Sequence, residues 1–362
     1  MAGFPFMRQA ETFLSSLPFI LLLAVFILPA KPRPAIAFVH LLLPPGGEPH
    51  ASPAGWIGSL DRARDTLESL RIPTIVSSAS PGNAEDLNEL SEMDPEVLIT
   101  TSPLLYAAAC DVAKRSPNTV FFACTDETVH DNMSGFQART YEAHYLAGLI
   151  AGALSEDGVI GYLANDPYQS KASRLRNANA FTLGAQKSKA AIRVLYAPGN
   201  DPDEELKTLI AAGADIVDLE RALPSLVERL REHSVRYVGT AGRTVDPLCL
   251  AAPEWEWSNA FGDLLTQVRF GIWRPRNVSY GIKEGVVGLS PFGPAVPETV
   301  RVRVREAKEA IRNGASPFEG PVRDVSGSLR IAEGSVPDDA TLRGMDWRVQ
   351  GLEPLPLTPD GR

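Results

Sequence analysis

Short apolar runs alternate along this chain with longer segments in which apolar residues recur at helical spacing. The runs at 38–43, 74–77, 97–100 and 120–123 have the length and the β-branched or aromatic content of strands. Between them, 56–70 puts Ile57, Leu60, Ala63, Leu67 and Leu70 on one helical face, and 84–91 and 104–114 read as further helices. A second series starts where Gly158 introduces Val159-Ile160-Gly161-Tyr162-Leu163. It continues with strands at 192–196, 215–219 and 235–239 and helices at 172–187, 203–212 and 223–232. Gly213 is placed as a helix C-cap that lets the chain turn straight into the next strand. Strands separated this regularly by helices predict parallel sheets with right-handed crossovers.

The stretch 131–164 separates the two series. In it, Ala143, Leu146, Ala147, Leu149 and Ile150 recur at helical spacing and form a small, close-packing face. Two doubly wound halves joined this way leave a cleft, and ligands settle in such clefts at the carboxyl ends of the strands. Past Gly239 the alternation loosens. The segments 248–252 and 278–290 read as extended crossings, 257–272 and 297–312 as helices, and the tail from 317 has little regular pattern.

A length of 362 residues is more than one typical domain and agrees with two lobes. The net charge is −9; without residues 1–37 it is −11, because Arg8, Lys31, Arg33 and Glu11 leave together. Such a surface repels phosphate backbones, so no nucleic-acid partner is expected. The N-terminus reads as a targeting signal: Arg8 in a short basic region, an apolar run at 17–30, and Ala35-Ile36-Ala37 in the small-x-small form of a cleavage site. That gives a signal peptide over 1–37 and export to the periplasm. An uncleaved anchor is the alternative, since a strand at 38–43 leaves almost no spacer after the cut. Cleavage after Ala30 would relieve that crowding. Cys110, Cys124 and Cys249 are an odd set for an exported protein and read as small buried hydrophobes.

No motif for a phosphate-binding loop, dinucleotide cradle, zinc protease or nucleophile elbow occurs. The five histidines, His40, His50, His130, His144 and His233, have no metal-ligand spacing. No catalytic residue, metal or cofactor is therefore expected. Aromatic and amide side chains near strand ends point instead to binding, in which a flat heterocycle stacks on a ring and polar groups read its edge.

A set of short motifs carries a resemblance. In order they are Gly55-Trp56 with Arg64, Phe136 to Arg139, Tyr141, Tyr145-Leu146-Ala147-Gly148, Ala151-Gly152, and Asn179-Ala180-Phe181-Thr182-Leu183-Gly184-Ala185. Gly213-Ala214-Asp215, Trp255-Glu256-Trp257, Gly285-Val286-Val287, Pro291-Phe292-Gly293-Pro294, Pro317-Phe318, Gly320-Pro321 and Met345-Asp346-Trp347 follow. Together they resemble the BMP family of ABC-transporter substrate-binding proteins, the basic membrane protein or purine-nucleoside-receptor type. The resemblance implies an α/β type I periplasmic-binding-protein fold: two doubly wound parallel-sheet lobes joined by a hinge of about three crossing segments. On that reading, lobe 1 is 38–154 plus 248–280, lobe 2 is 155–247 plus 281–350, and 351–362 is a tail. Many relatives are lipoproteins, but no Cys stands at a cleavage point here, so no lipid anchor is expected.

The function implied is binding of a small polar, planar ligand, such as a purine nucleoside or base, by hinge closure. The partners are that ligand and an ABC permease in the inner membrane, and the chain is expected to act as a monomer. A ligand sensor of the same fold signalling to a membrane receptor is the alternative; a periplasmic enzyme is a third reading. The ligand-binding candidates are Trp56, Asp126, Phe136, Arg139, Arg176, Asn177, Arg243, Trp255 and Trp257. Trp56 either walls the pocket or packs beneath the first helix, and Asp126 either accepts sugar hydroxyls or is an ordinary loop residue. Phe136 and Arg139 either touch ligand or support the hinge. Arg176 and Asn177 lie near a helix N-terminus or on a solvated face. Of the two tryptophans, one would reach the cleft while the other closes the core. Relatives carry a Gln-His-type pair where Asp218-Leu219-Glu220-Arg221 stands here, and an Asp-containing turn where Thr240-Ala241-Gly242-Arg243 stands. These departures imply a changed pocket, in which Arg243 suits an anionic or carbonyl-bearing ligand.

Overall fold

The computed structural model describes residues 34–41, 56–79, 84–125, 130–166, 169–239 and 246–356. Strands β1 (Ile36–Leu41), β2 (Thr74–Ala79), β3 (Val97–Thr100), β4 (Val120–Cys124) and β5 (Met133–Ala138) alternate with helices α1 (Trp56–Ser69), α2 (Ala84–Glu92) and α3 (Tyr106–Ala113). After α4 (Tyr141–Leu154) a second series follows: β6 (Val159–Leu163), α5 (Lys171–Ser188), β7 (Arg193–Ala197), α6 (Pro202–Ala211), β8 (Ile216–Leu219), α7 (Pro224–Glu232), β9 (Arg236–Gly239) and β10 (Cys249–Ala251). The chain then runs through β11 (Pro253–Trp255), α8 (Ser258–Arg269), β12 (Asn277–Tyr280), β13 (Val287–Leu289) and α9 (Glu298–Arg312). It ends with β14 (Val322–Arg323), β15 (Leu329–Ile331), α10 (Asp339–Arg343) and β16 (Leu352–Pro354).

The first sheet has the order β12-β5-β4-β3-β1-β2 and the second β10-β9-β8-β6-β7-β16; every pairing in both is parallel. Helices cover the faces, so central strands such as β3 and β8 are buried along their whole length. The chain crosses between lobes after β5, between β10 and α8, and after β12. The antiparallel pair β11–β13 lies at the crossings, with Trp255 opposite Val287.

The crossings differ from the expected boundaries in three places. Met133–Ala138 form a fifth strand, β5, where the apolar runs predict only four before the joining helix, pairing Phe121 with Met133 and Cys124 with Phe136. Its sequence, MSGFQA, is poor in strand formers. Gly135 suits it because a Cβ would lie 2.8 Å from the backbone oxygen of Thr125. The segment 248–252 belongs to lobe 2, since β10 extends the second sheet beside β9. The tail from 351 includes β16, which closes that sheet's other edge against β7.

Helix α4 packs on α5 and thus on the second lobe, so lobe 1 ends earlier than the expected 154. The small face allows this contact. A Cβ on Gly148 would sit 2.0 Å from Phe181 O, and one on Gly184 2.1 Å from Tyr145 O. Only hydrogen at these positions lets the backbones approach so closely. At the N-terminus, Ile36 and Ala37 are buried in β1 and pair with Thr74 and Ile75 on one side and Val97 and Leu98 on the other. A cut after Ala37 would remove them from the sheet; residues 1–33 lie outside the described residues. Among the described residues, no helix is long and apolar enough to cross a membrane.

Candidate functional site: the cleft between the two sheets

Both sheets direct the carboxyl ends of their strands toward one cavity. Lobe 1 contributes Thr101 and Pro103 after β3, Cys124 and Thr125 at the end of β4, and Gln137, Ala138 and Thr140 from β5 and the turn beyond it. Lobe 2 contributes Asp166 and Gln169 after β6, and Ser170 and Ser173 at the start of α5; Trp255 closes one side from the end of β11. Ser170 is the N-cap of α5, its hydroxyl accepting from Ser173 N. The described lining is hydroxyls, two amides, one carboxylate and one indole, interspersed with Pro103, Cys124 and Ala138, and has no Lys or Arg. Such a set suits an uncharged ligand rich in hydrogen-bonding groups. Trp255 Nε1 donates to Thr140 Oγ1 at 3.3 Å, which fixes the ring edge. Trp255 also borders a hollow of ≈ 370 Å³ walled by α1, β13 and α9. No described residue of either six-stranded parallel sheet lines that hollow, whereas the cleft is walled by the carboxyl ends of strands from both, so the cleft is the better ligand site.

The two lobes hold their halves of the cleft differently. Behind lobe 1 is an aromatic stack: Phe122 on Phe136 with centroids 4.5 Å apart, Phe136 edge-on to Trp257 at 5.2 Å, and Trp257 parallel to Phe261 at 5.4 Å. Behind lobe 2 are buried charges. His144 Nδ1 lies 3.1 Å from Asp218 Oδ2, and Tyr162 Oη donates to Glu220 Oε1 at 2.9 Å. Burial works against a charged imidazole, but Asp218, with Glu220 and Asp166 beyond it, outweighs that and raises the His144 pKa. Burial foremost, helped by Asp166 and Asp218 and opposed by His144 and the Tyr162 hydrogen bond, pushes the Glu220 carboxyl up to about 7.

Of the candidates whose side chains are described, only Trp255 lines this cavity. Trp257 and Phe136 have essentially no exposed surface and belong to the lobe-1 stack, so neither faces the cleft. The two tryptophans part because Trp255 ends a strand while Trp257 caps α8 in helical geometry. Arg139 is committed to the hinge. It donates to Glu142 Oε1 at 2.7 Å, Ser279 O at 2.8 Å and Glu284 Oε2 at 2.5 Å. Arg176 is likewise occupied, donating to Leu342 O and Ser173 Oγ and lying over the Tyr141 ring. Asn177 stands one layer behind the lining and donates to Gln169 Oε1 at 2.9 Å. Trp56 is the first residue of α1, its side chain outside the description; Asp126 and Arg243 lie outside the described residues.

Sequence reading missed Thr101, Thr125 and Asp166 just past strand ends, Gln137 near the end of β5, and Gln169 and Ser173 at the approach to and first turn of α5. It also passed over a usable signal: Asp218 and Glu220 alternate at a strand that must be buried on both faces, and His144 interrupts an apolar helix. The three cysteines form no disulfide with one another; Cys110 and Cys124 are buried and Cys124 borders the cleft. Among the described residues, no group of His, Cys, Asp and Glu is arranged to hold a metal ion.

Comparison with known proteins adds an independent line. The family described as Bmp, ABC transporter substrate-binding protein PnrA-like, matches residues 60–211. A purine-binding protein of Brucella abortus (strain 2308) is 28% identical over 341 residues, covering 90% of this chain and 94% of that protein. A protein of Haloferax volcanii named as the ABC transporter glucose-binding protein TsgA13 is 28% identical over 307 residues, covering 78% of each. Among solved structures, an ABC transporter solute-binding protein from Conexibacter woesei superposes with a TM-score of 0.61 at 17% identity, covering 77% of this chain and 97% of that one. The fold is the type I periplasmic-binding fold that the sequence motifs implied.

Proposed function

Because the chain belongs to the Bmp family of PnrA-like ABC transporter substrate-binding proteins, we propose that it closes its lobes on a small, uncharged, planar molecule of the purine nucleoside or base class and hands it to a membrane permease. Substrate-binding proteins of ABC importers work outside the cytoplasmic membrane, so the N-terminal segment acts as an export signal. We place its cleavage upstream of β1, after Ala30, which leaves Ile36 and Ala37 in their sheet. The observation that carries the reading is the cavity itself, whose polar walls come from the strand ends of both lobes and whose flank is Trp255.

Closure follows from that geometry. Contacts made to Thr101, Thr125 and Gln137 on one side and to Gln169 and Ser173 on the other exist together only when the lobes meet, so ligand shifts the population toward the closed form. Moving it from 1:99 to 99:1 needs a difference in affinity of about 5.5 kcal/mol, within reach of one stacked ring and several hydrogen bonds. The hydroxyl and carboxylate content would also suit a sugar, and glucose is the informative competitor. Titration calorimetry with adenosine, hypoxanthine and glucose tests the assignment. Binding of a purine, with a stabilisation of about 2.7 kcal/mol at 100 times its Kd, is expected. Binding of glucose alone would replace the purine assignment.

A further inference from the structure

Glu220 stands directly behind the lobe-2 face of the cleft, at the centre of a chain of hydrogen bonds that ends in the lining. Tyr162 Oη donates to its Oε1 at 2.9 Å, Asn177 Nδ2 approaches the same oxygen at 3.5 Å, and Asp166 N reaches Oε2 at 3.4 Å. Asn177 Nδ2 also donates to Gln169 Oε1 at 2.9 Å, and Gln169 Nε2 donates to Asp166 Oδ2 at 3.0 Å. These contacts leave the amides one sensible orientation. A reversed Gln169 would set its oxygen against a carboxylate and its NH₂ against the NH₂ of Asn177. The carboxyl that anchors this chain is almost wholly buried, a placement that costs stability unless something else requires it.

We propose that Glu220 is a positioning residue for ligand binding: by holding Asn177 and the Asp166 backbone, it sets the donor and acceptor pattern that Gln169 and Asp166 present to the cleft. The proposal rests on the interlobe cleft being the ligand site. Tyr162 Oη, Asn177 Nδ2 and the Asp166 N–H each offer a hydrogen to Glu220, so the network is built for the carboxylate. The groups facing it are His144 on α4, Tyr162 on β6, Asp166 after β6, Asn177 on α5, Tyr196 on β7 and Asp218 on β8. Asp166, Asp218 and burial favour its proton, His144 opposes it, and the balance lies at about 7. A proton on Oε2 would confront the Asp166 N–H, and one on Oε1 would force Tyr162 to turn. Acidification through that range therefore loosens the wall, and affinity falls.

The test is calorimetry with adenosine, and separately with glucose, at about pH 5.5 and about pH 8.5, on the wild type, Glu220→Gln and Asn177→Ala. The wild type is expected to bind about tenfold more tightly at the higher pH. Glu220→Gln should bind at least about tenfold more weakly than wild type there and show no pH slope, and Asn177→Ala should reproduce that weakening. If Glu220→Gln does not fold, Tyr162→Phe takes its place, with a several-fold weakening expected at the higher pH. A Glu220→Gln protein that binds like wild type at both pH values, or that keeps the wild-type slope, overturns the proposal. If the wild type binds neither probe, the ligand assignment fails and the positioning claim is read without ligand. In that case the amides of Asp166 and of residues 169–173 should exchange hydrogen faster in Glu220→Gln while α6 is unchanged, and equal exchange overturns it.

Discussion

The two walls of the cleft face each other across a short distance yet are held by different physics. Lobe 1 supports its strand ends with Phe122, Phe136, Trp257 and Phe261, whose contacts depend on shape and apolar area and carry no charge. Lobe 2 supports its own with His144–Asp218 and with Glu220, Tyr162 and Asn177, whose contacts depend on protons. An aromatic backing gives a rigid wall at no electrostatic cost. A buried ionisable backing costs stability and in return makes the wall responsive.

Substitutions on either side can break that contrast. The largest effect is expected from Trp257→Ala, which empties the centre of the lobe-1 stack and should cost about 3–5 kcal/mol in denaturant unfolding. The loss should be the same at acidic and alkaline pH; a loss that varied with pH would mean the stack is coupled to the charged half. The next effect is in the pH dependence of stability. Both Glu220 and His144 have pKa values raised in the folded state, so each contributes stability that is full below its unfolded value and is lost as pH rises through its folded one. Unfolding free energy should therefore fall between about pH 5 and about pH 8, with up to about 3 kcal/mol of the fall due to Glu220. Glu220→Gln should flatten that part of the slope, and melts that rise toward alkaline pH would contradict the sign. The smallest effect is expected from Trp255→Ala. Its ring touches the cleft and is tied to Thr140, so adenosine affinity should drop by about tenfold, near 1.4 kcal/mol, measured at a temperature where the melt shows the variant folded, because removing this buried ring also leaves a cavity. Unchanged affinity would move the pocket away from β11.

The legibility of the sequence follows the same division. Helix α4 was readable because Gly148 and Gly152 lie among regularly spaced small residues, and close packing against Gly184 follows from that pattern. Strand β5 was not readable, because MSGFQA earns its place from neighbours on both sides rather than from its own composition. Trp255 and Trp257 looked equivalent until the end of β11 and the start of α8 turned them to opposite duties. The lobe-2 network was hardest to see. Glu220 meets Tyr162 and Asn177 across 58 and 43 residues of chain, so three ordinary-looking polar residues become a unit only when α5, β6 and β8 pack together.

The most direct test of the whole account is small-angle scattering of the protein with and without a saturating amount of whichever probe, adenosine or glucose, calorimetry shows to bind. Closure of two lobes on a shared ligand predicts a smaller radius of gyration and a filled-in cleft in the bound state. Superimposable curves at full occupancy would contradict it.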